Sequence, residues 1–412
     1  MQNLQRYIYI FISLFLIHPA AAQQWQYKSP MPTARKGITG AVLDNRIWVL
    51  GGAKRENNAL NRVEVYNPAA DSWDTRVPSL LKARDNATAQ VWQNSIYVFG
   101  GRNGHELIRE VERYDPDSAK WEIIGQIPTP RFGMASLVVD STIWLIGGTG
   151  LNYNTFYNRV DIYYPNENRW EELPAKLNFA RGDPMAAVIE GEVYVFGGYF
   201  YGPMANYERY DTTGAAWSVA GDMLYNCASS GFVQQDNKIF LIGGSGQSGM
   251  LRNVQIFQPE FMQWSEGPQL NTPRRELLAA NVAGKIYAIG GRGMMMYSVY
   301  NSVEELDLLV GVNTPINEQP VTHLLIDNYP NPFQKGTTVR VILPANDILQ
   351  VTIYDILGRE VYRLFEGNLF AGEHLFSISA DIFAGFNLSA GIYFIRLSGS
   401  KYSAIRKIQY IK

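Results

Sequence analysis

The sequence predicts an all-β protein: a six-bladed β-propeller followed by a small C-terminal β-sandwich of Ig-like form. Three observations carry this expectation. An apolar strand ending in a glycine pair recurs six times, with first glycines at 51, 100, 147, 197, 243 and 290. Most of these pairs are followed, at similar separations, by a short strand ending in an aromatic and then by a tryptophan. After Leu309 the period stops and a different succession of short strands begins. Recurrence of this kind marks units that bury their apolar faces only against one another.

The chain of 412 residues is 46% apolar, enough for a full core and room for more than one domain. Its 36 basic and 38 acidic residues give a net charge of -2, so no global positive field attracts nucleic acid. At the front, Arg6, the apolar run from Ile8 to Ile17 and Ala20-Ala21-Ala22 read as a cleavable export signal over residues 1–22. That run is too short to span a bilayer, and no later stretch approaches the roughly 20 residues needed, so no membrane span is expected in the mature chain. Cys227 is the only cysteine, which leaves the fold to packing alone.

Within a repeat, four consecutive apolar residues before the glycines, as in Ile47-Trp48-Val49-Leu50, indicate a strand covered on both faces. An upstream strand such as Ile38 to Leu43 precedes it. Downstream, Val63-Glu64-Val65-Tyr66 leads into the turn Asn67-Pro68 and then Trp73, the pattern of a four-stranded antiparallel meander. Six such units stacked radially make a propeller. The sixth repeat has no tryptophan after Gly290-Gly291, whereas Trp25 is spare at the other end. The N-terminal segment is therefore expected to supply the outer strand of the last blade and close the ring.

This combination of Gly-Gly, tyrosine and tryptophan, from residue 25 to about 308, resembles the kelch repeat family. The resemblance implies the fold and no particular activity.

Sixteen residues before each first glycine stand Arg35, Arg84, Arg131, Arg181, Cys227 and Arg274; two before each strand aromatic or its equivalent stand Glu64, Glu112, Asp161, Glu208, Gln255 and Glu304. The fifth repeat has lost both members together. Since the glycines have no side chain, each arginine can reach over them to an acid in its own blade, which is the expected arrangement. Capture of an anionic ligand by these arginines at the channel mouth is the competing reading.

Turns between the first and second strands are tight and polar, while the connections after the glycine pairs are long and differ from blade to blade. Binding residues are expected on that second set of loops. The candidates are Tyr153 and Tyr157 in blade three, Tyr199 and Tyr201 in blade four, and Met295 and Tyr297 in blade six, as aromatic and thioether anchors for a glycan or protein. No catalytic residue, metal site or cofactor is expected. Within the repeats His105 is the only histidine, so an imidazole copper site is not available. Glu56, Glu106, Asp183 and Glu276 fall near the loop face, where paired carboxylates for hydrolysis stay an open reading. In its export signal and six repeats the chain also resembles the exported bacterial sialic acid epimerases, which implies the alternative of an extracellular carbohydrate-active kelch enzyme, with no motif that carries over their active-site residues.

Residues 309–323 read as a linker. Beyond it, Asn328-Tyr329-Pro330-Asn331-Pro332-Phe333, the run from Ile353 to Val361, Ala371-Gly372 and Ser389 to Phe394 resemble the type A C-terminal sorting domain of the bacterial type IX secretion system. The resemblance implies that residues 324–412 engage that machinery, with export through the periplasm to the outer surface or medium. The expected layout is a signal peptide at 1–22, a propeller at 23–308, a linker at 309–323 and the sorting sandwich at 324–412. The expected function is a secreted or cell-surface binding module.

Overall fold

The computed structural model describes residues 24–308, except 55–57, 153, 236 and 296–297, and residues 325–411, except 330, 335, 344, 370–371, 380–388 and 400. The expected signal peptide and linker lie outside the described residues. The chain forms two compact units, Met1–Asn313 and Thr314–Lys412.

Among the described residues, the first unit holds six four-stranded antiparallel sheets. Sheet one runs Thr39–Leu43, Arg46–Leu50, Val63–Asn67 and Ser72–Asp74. Sheets two to five repeat this order over 88–126, 135–172, 185–222 and 231–267. Sheet six takes Leu278–Val282, Lys285–Ile289 and Val303–Asp307, and its outer strand is Gln26–Lys28, paired antiparallel so that Tyr27 faces Glu304. The N-terminal strand thus completes the last sheet. Trp25 is buried beside it, its indole Nε1 donating to Pro268 O at 2.8 Å.

Packing explains why each second strand is apolar throughout. Six separate cores lie between neighbouring sheets. One joins Leu50 and Val65 to Val98 and Tyr114, and the last joins Ile289 and Val303 of sheet six to Val49 and Tyr66 of sheet one. The first strands neighbour one another in the same cyclic order. The strand aromatic and tryptophan pack as tilted ring pairs across the outer strand pair, as for Tyr66 with Trp73 at 5.0 Å and Tyr163 with Trp170 at 4.6 Å between ring centroids.

The buried arginines pair inside their own sheets. Contacts are 3.0 Å for Arg35–Glu64, 2.6 Å for Arg84–Glu112 and 2.7 Å for Arg131–Asp161, with Arg181–Glu208 and Arg274–Glu304 both at 2.5 Å. All five guanidinium groups are fully buried, which removes them from the channel mouth. Each also donates to the carbonyl of the first glycine of its own pair, for example Arg84 Nη1 to Gly100 O at 2.9 Å and Arg181 Nη1 to Gly197 O at 2.7 Å. Burial pulls the guanidinium groups below their ordinary pKa, to about 10 for Arg35, and the facing carboxylates oppose that pull.

The acid has a second duty. Glu112 accepts from the amides of Leu81 and Lys82 at 2.6 and 3.0 Å, and Glu208 from that of Asn178 at 2.7 Å. Those amides belong to the connections arriving from the preceding sheet, as do those of Thr33 and Asn271 that Glu64 and Glu304 accept from, so in four of the five sheets the pair ties the sheet to the chain that enters it. In sheet five the duties are divided among neutral groups. Gln255 Oε1 accepts from Tyr225 N at 2.8 Å, its amide donates to Cys227 Sγ at 3.6 Å, and Ser230 Oγ donates to Gly243 O at 2.9 Å. Cys227 is buried, and burial pushes its thiol up to about 11.

In the second unit, one sheet orders Leu325–Tyr329, Gly336–Leu343 and Gly372–Ser379; the other orders Glu360–Leu369, Asp347–Tyr354, Gly391–Gly399 and Ser403–Tyr410. Val339, Val341, Val351, Ile353, Ile395 and Ile408 share one core between them. Leu325–Tyr329 is itself a strand, its backbone pairing antiparallel with Thr338–Ile342 of the next strand. The Asn-Pro-Phe that follows braces the last strand. Asn331 Oδ1 accepts from Gln409 N at 2.8 Å, and Phe333 is buried against Tyr410. Asp355 Oδ1 accepts from the amides of Leu357 and Arg359, closing a turn in which Gly358 takes φ 78°.

Removing one member of a buried charge pair leaves the other unpaired, at a cost of about 3–5 kcal/mol, whereas replacing both by neutral partners is far milder. Arg84→Met is expected to lower unfolding stability by about that amount. The double variant Arg84→Cys/Glu112→Gln, which copies sheet five, is expected to lose less than half as much in denaturant titration. A double variant as unstable as the sum of its singles would contradict the pairing.

Candidate functional site

Two residues past each buried arginine, or past Cys227, stand Gly37, Asn86, Gly133, Asp183, Ser229 and Glu276. All six have left-handed backbone, φ 48° to 59°. Their amides and carbonyls form a closed circle. Asn86 N donates to Gly37 O, Gly133 N to Asn86 O, Asp183 N to Gly133 O, Ser229 N to Asp183 O, Glu276 N to Ser229 O, and Gly37 N back to Glu276 O, all between 2.8 and 3.2 Å. Glycine, Asn and Asp suit this conformation; Ser229 and Glu276 adopt it at some cost because the circle fixes them there.

The circle forms the throat of a channel, and above it opens a mouth of about 420 Å³. Around it, the residue after each buried arginine or Cys227 is bridged to the residue after a glycine pair: Lys36 with Ala53, Asp85 with Arg102, Phe132 with Thr149, Gly182 with Tyr199, Ala228 with Ser245, and Arg275 with Arg292, at least one member of each bridge lining the mouth. The chemistry is therefore uneven around the rim. Lys36, Arg102, Arg275 and Arg292 bring positive charge from sheets six, one and two; Phe132, Phe156 and Tyr199 bring rings from sheets three and four.

Glu276 Oε2 receives Lys36 Nζ at 3.0 Å, and its Oε1 lies 3.5 Å from Arg275 Nε and 3.7 Å from Arg292 Nη1. Arg102 pairs with Asp85 at 3.2 Å and lies over the Phe132 ring, 4.7 Å from its centroid. Burial pushes the Asp183 carboxyl above its ordinary range; a hydrogen bond from Ser229 Oγ at 2.9 Å and the charges of Arg275 and Arg102 pull the other way.

The expected binding residues fall into separate groups. Tyr199 lines the mouth and Tyr201 stands beside it, 68% exposed with φ 53°. With Phe156 and Phe200 they form one aromatic cluster, ring centroids 4.9 to 5.9 Å apart. Tyr157 instead occupies a position common to all the sheets, its amide donating to Gly148 O as that of Leu60 does to Gly52 O, and its ring lies near the guanidinium of Arg131. Met295 is 81% exposed and is not part of the mouth lining. Tyr153 and Tyr297, like Glu56, lie outside the described residues. Sequence reasoning found two acids of the mouth, Asp183 and Glu276, and missed its cations, although their fixed offsets from the buried arginines and the glycine pairs were readable.

Repeated sheets, aromatic meanders and a channel with an uneven mouth define a β-propeller whose scaffold is separable from the chemistry of its rim. Residues 10–198 match the family described as the KLHDC2/KLHL20/DRC7 Kelch-repeats domain, residues 180–224 the Kelch motif, and residues 327–412 the Secretion system C-terminal sorting domain. The chain is a kelch-repeat β-propeller protein with a type IX C-terminal sorting domain. Kelch-like protein 25 of Xenopus tropicalis is 25% identical over 253 residues, covering 58% of this chain and 41% of its own length. Kelch-like protein 23 of Homo sapiens is 28% identical over 223 residues, covering 53% and 38%, and Kelch-like protein 36 of Bos taurus is 24% identical over 265 residues, covering 61% and 42%. The chain thus spans about four tenths of the length of these curated relatives. The sorting domain indicates type IX secretion.

A carboxyl whose folded pKa lies above its unfolded value binds its proton more tightly when folded, so its contribution to stability falls as pH rises through the carboxylate range. Asp183→Asn keeps the left-handed preference and an acceptor for Ser229. It is expected to raise the melting temperature at pH 7, with the gain shrinking as pH is lowered toward 4; a gain that grows on acidification would contradict the assigned shift.

Proposed function

We propose that the protein is an exported, non-catalytic binding module: a closed six-bladed propeller over residues 23–308 that engages a glycan or protein through its loop-bearing face. Residues 1–22 carry it to the periplasm, and residues 324–412, an Ig-like sandwich beyond a linker at 309–323, present it to the type IX machinery for transfer to the surface or the medium. Kelch propellers commonly serve as interaction modules, and that habit supports the reading.

The observation that carries it is the aromatic cluster at the mouth. Tyr199, Phe200 and Tyr201 are 40%, 46% and 68% exposed, although each has apolar surface that burial would stabilise. Tyr201 is held in left-handed backbone, an uncommon state for a bulky residue and one typical of sites shaped for something other than stability. Rings grouped this way present faces to a sugar or to apolar side chains. The expected contacts are Tyr199 and Tyr201, joined by Tyr157, Met295, Tyr153 and Tyr297 where a ligand extends across blades three, four and six.

Glycan and peptide arrays probed with the mature chain test this directly. The variant Tyr199→Ala/Tyr201→Ala is expected to keep the wild-type melting temperature within a few degrees and to lose the wild-type array signals by tenfold or more. Equal signals from both proteins would overturn the assignment. Export is tested separately: a chain lacking residues 324–412 is expected to stay periplasmic, and its display on the surface would contradict the sorting role.

A further inference from the structure

Two sheets that share one core leave two outer faces, and along each strand the residues of those faces are ordinarily polar. In the second unit the larger sheet gives Leu349, Val351, Ile353, Ile395, Leu397 and Ile408 to the core. Side chains alternate along a strand, so the residues between these stand on the outer face. Several of them are large and apolar.

The register fixes how they lie. One row across the sheet reads Arg363, Thr352, Arg396 and Ile405; the next reads Glu360, Tyr354, Phe394 and Lys407. Ile392 stands two residues beyond Phe394, toward the turn that carries Ile356 and Leu357. Ile405 is 65% exposed, Ile392 41%, and the two turn residues 70% and 73%. Contiguous apolar surface left in water marks an interaction site more often than a lone exposed side chain does.

Charge on this face is one-sided as well. From residue 382 to residue 412 the sequence holds Arg396, Lys401, Arg406, Lys407 and Lys412 and no acid. Arg396 and Lys407 stand on the outer face beside Ile405 and Phe394, and among the described residues neither has an acidic partner. Arg363, nearer the sheet edge, is instead held by Glu360 and Glu366 at 3.0 and 2.7 Å. Between the two arginines Thr352 is buried with its hydroxyl unpaired, an arrangement that stability alone does not select.

We propose that the outer face of the sheet formed by Glu360–Leu369, Asp347–Tyr354, Gly391–Gly399 and Ser403–Tyr410 is the surface by which the sorting domain docks on the export machinery, and that its partner there is an acidic protein surface with an apolar floor. Carboxylates of the partner take Arg396 and Lys407, while Ile392, Phe394 and Ile405 fill the apolar part. A second copy of the chain does not fit, because a like face sets cations against cations. An anionic membrane fits less well, since a plane of negative charge meets Glu360 and Glu366 along with the cations, whereas a protein need cover only the basic side. The inference rests on residues 324–412 directing export and names the part of them that is read.

Surface, medium and periplasmic fractions of cells producing the full chain test it. Arg396→Glu/Lys407→Glu is expected to keep the wild-type melting temperature within a few degrees and to lower the exported fraction at least tenfold, leaving folded protein in the periplasm. Arg340→Glu, a reversal at an exposed position on the other sheet, is expected to be exported as wild type is. Wild-type export of the double variant overturns the proposal, and so does an equal loss with Arg340→Glu, which would mean that net charge is read rather than a face. Should the double variant not fold, Arg396→Gln/Lys407→Gln decides on the same terms. Sedimentation with vesicles containing phosphatidylglycerol, at physiological ionic strength, is expected to leave the full chain in solution; binding that the double variant loses would assign the face to a membrane and overturn the protein partner. Surface display of a chain lacking residues 324–412 sinks the sorting role beneath; retention of that chain beside normal export of the face variants sinks this inference alone.

Discussion

The structure depends on a buried ion pair that does three jobs in one place. In five of six sheets a guanidinium bridges the glycine carbonyl at the end of the second strand to an acid on the third, and the acid holds the incoming chain in most of them. Only glycine permits this, because a Cβ at the first position would meet the backbone of the next sheet; at Gly51 it would come within 2.4 Å of Arg84 O. The glycine pair and the arginine are thus two halves of one device. Taking two charges out of water is expensive, and the return comes from filling nearly every donor and acceptor at the top of the sheet. Sheet five reaches the same geometry with neutral groups, so what the fold requires is satisfied hydrogen bonding rather than charge as such.

From that device the rest of the face follows. With the arginine anchored, the next residue is fixed against the start of the loop, and the one after it enters the circle around the channel. The circle sets the backbone and leaves the side chains free. Position by position, the mouth can therefore carry lysine, aspartate, phenylalanine, glycine, alanine or arginine with no change to the scaffold. The result is a rim with a cationic arc from sheets six, one and two and an aromatic arc from sheets three and four, above a throat that holds Asp183 and Glu276.

Much of this was legible in the sequence, because repeats multiply weak signals. The glycine pairs, the Tyr-Trp separation and the spare Trp25 gave the meander and the identity of the completing strand. The joint loss of arginine and acid at Cys227 and Gln255 gave the pairing itself. The sorting domain was legible from its turn residues, Asn331, Asp355 and Gly358, each of which has a specific backbone to hold. The cations of the mouth were not legible in the long loops with bulky residues, because the mouth is built from short positions whose role is set by offset from the buried arginine. Tyr157 combines two roles at one position: its type and loop suggest a ligand contact, and its amide makes the bond to the second glycine that Leu60 and Ile108 make in other sheets. Backbone conformation was also hidden, since nothing in their types announces that Ser229 and Glu276 sit at positive φ.

The account stands on a ring that closes on itself, with the seam between sheets six and one as strong as any other junction. Native-state hydrogen exchange at the amides of Gly37, Asn86, Gly133, Asp183, Ser229 and Glu276 measures this most directly, because local opening and global unfolding are distinguished by their denaturant dependence. The account predicts that all six exchange only through the global transition, with a common free energy. Fast, denaturant-independent exchange at Gly37, whose amide spans the seam, would contradict it.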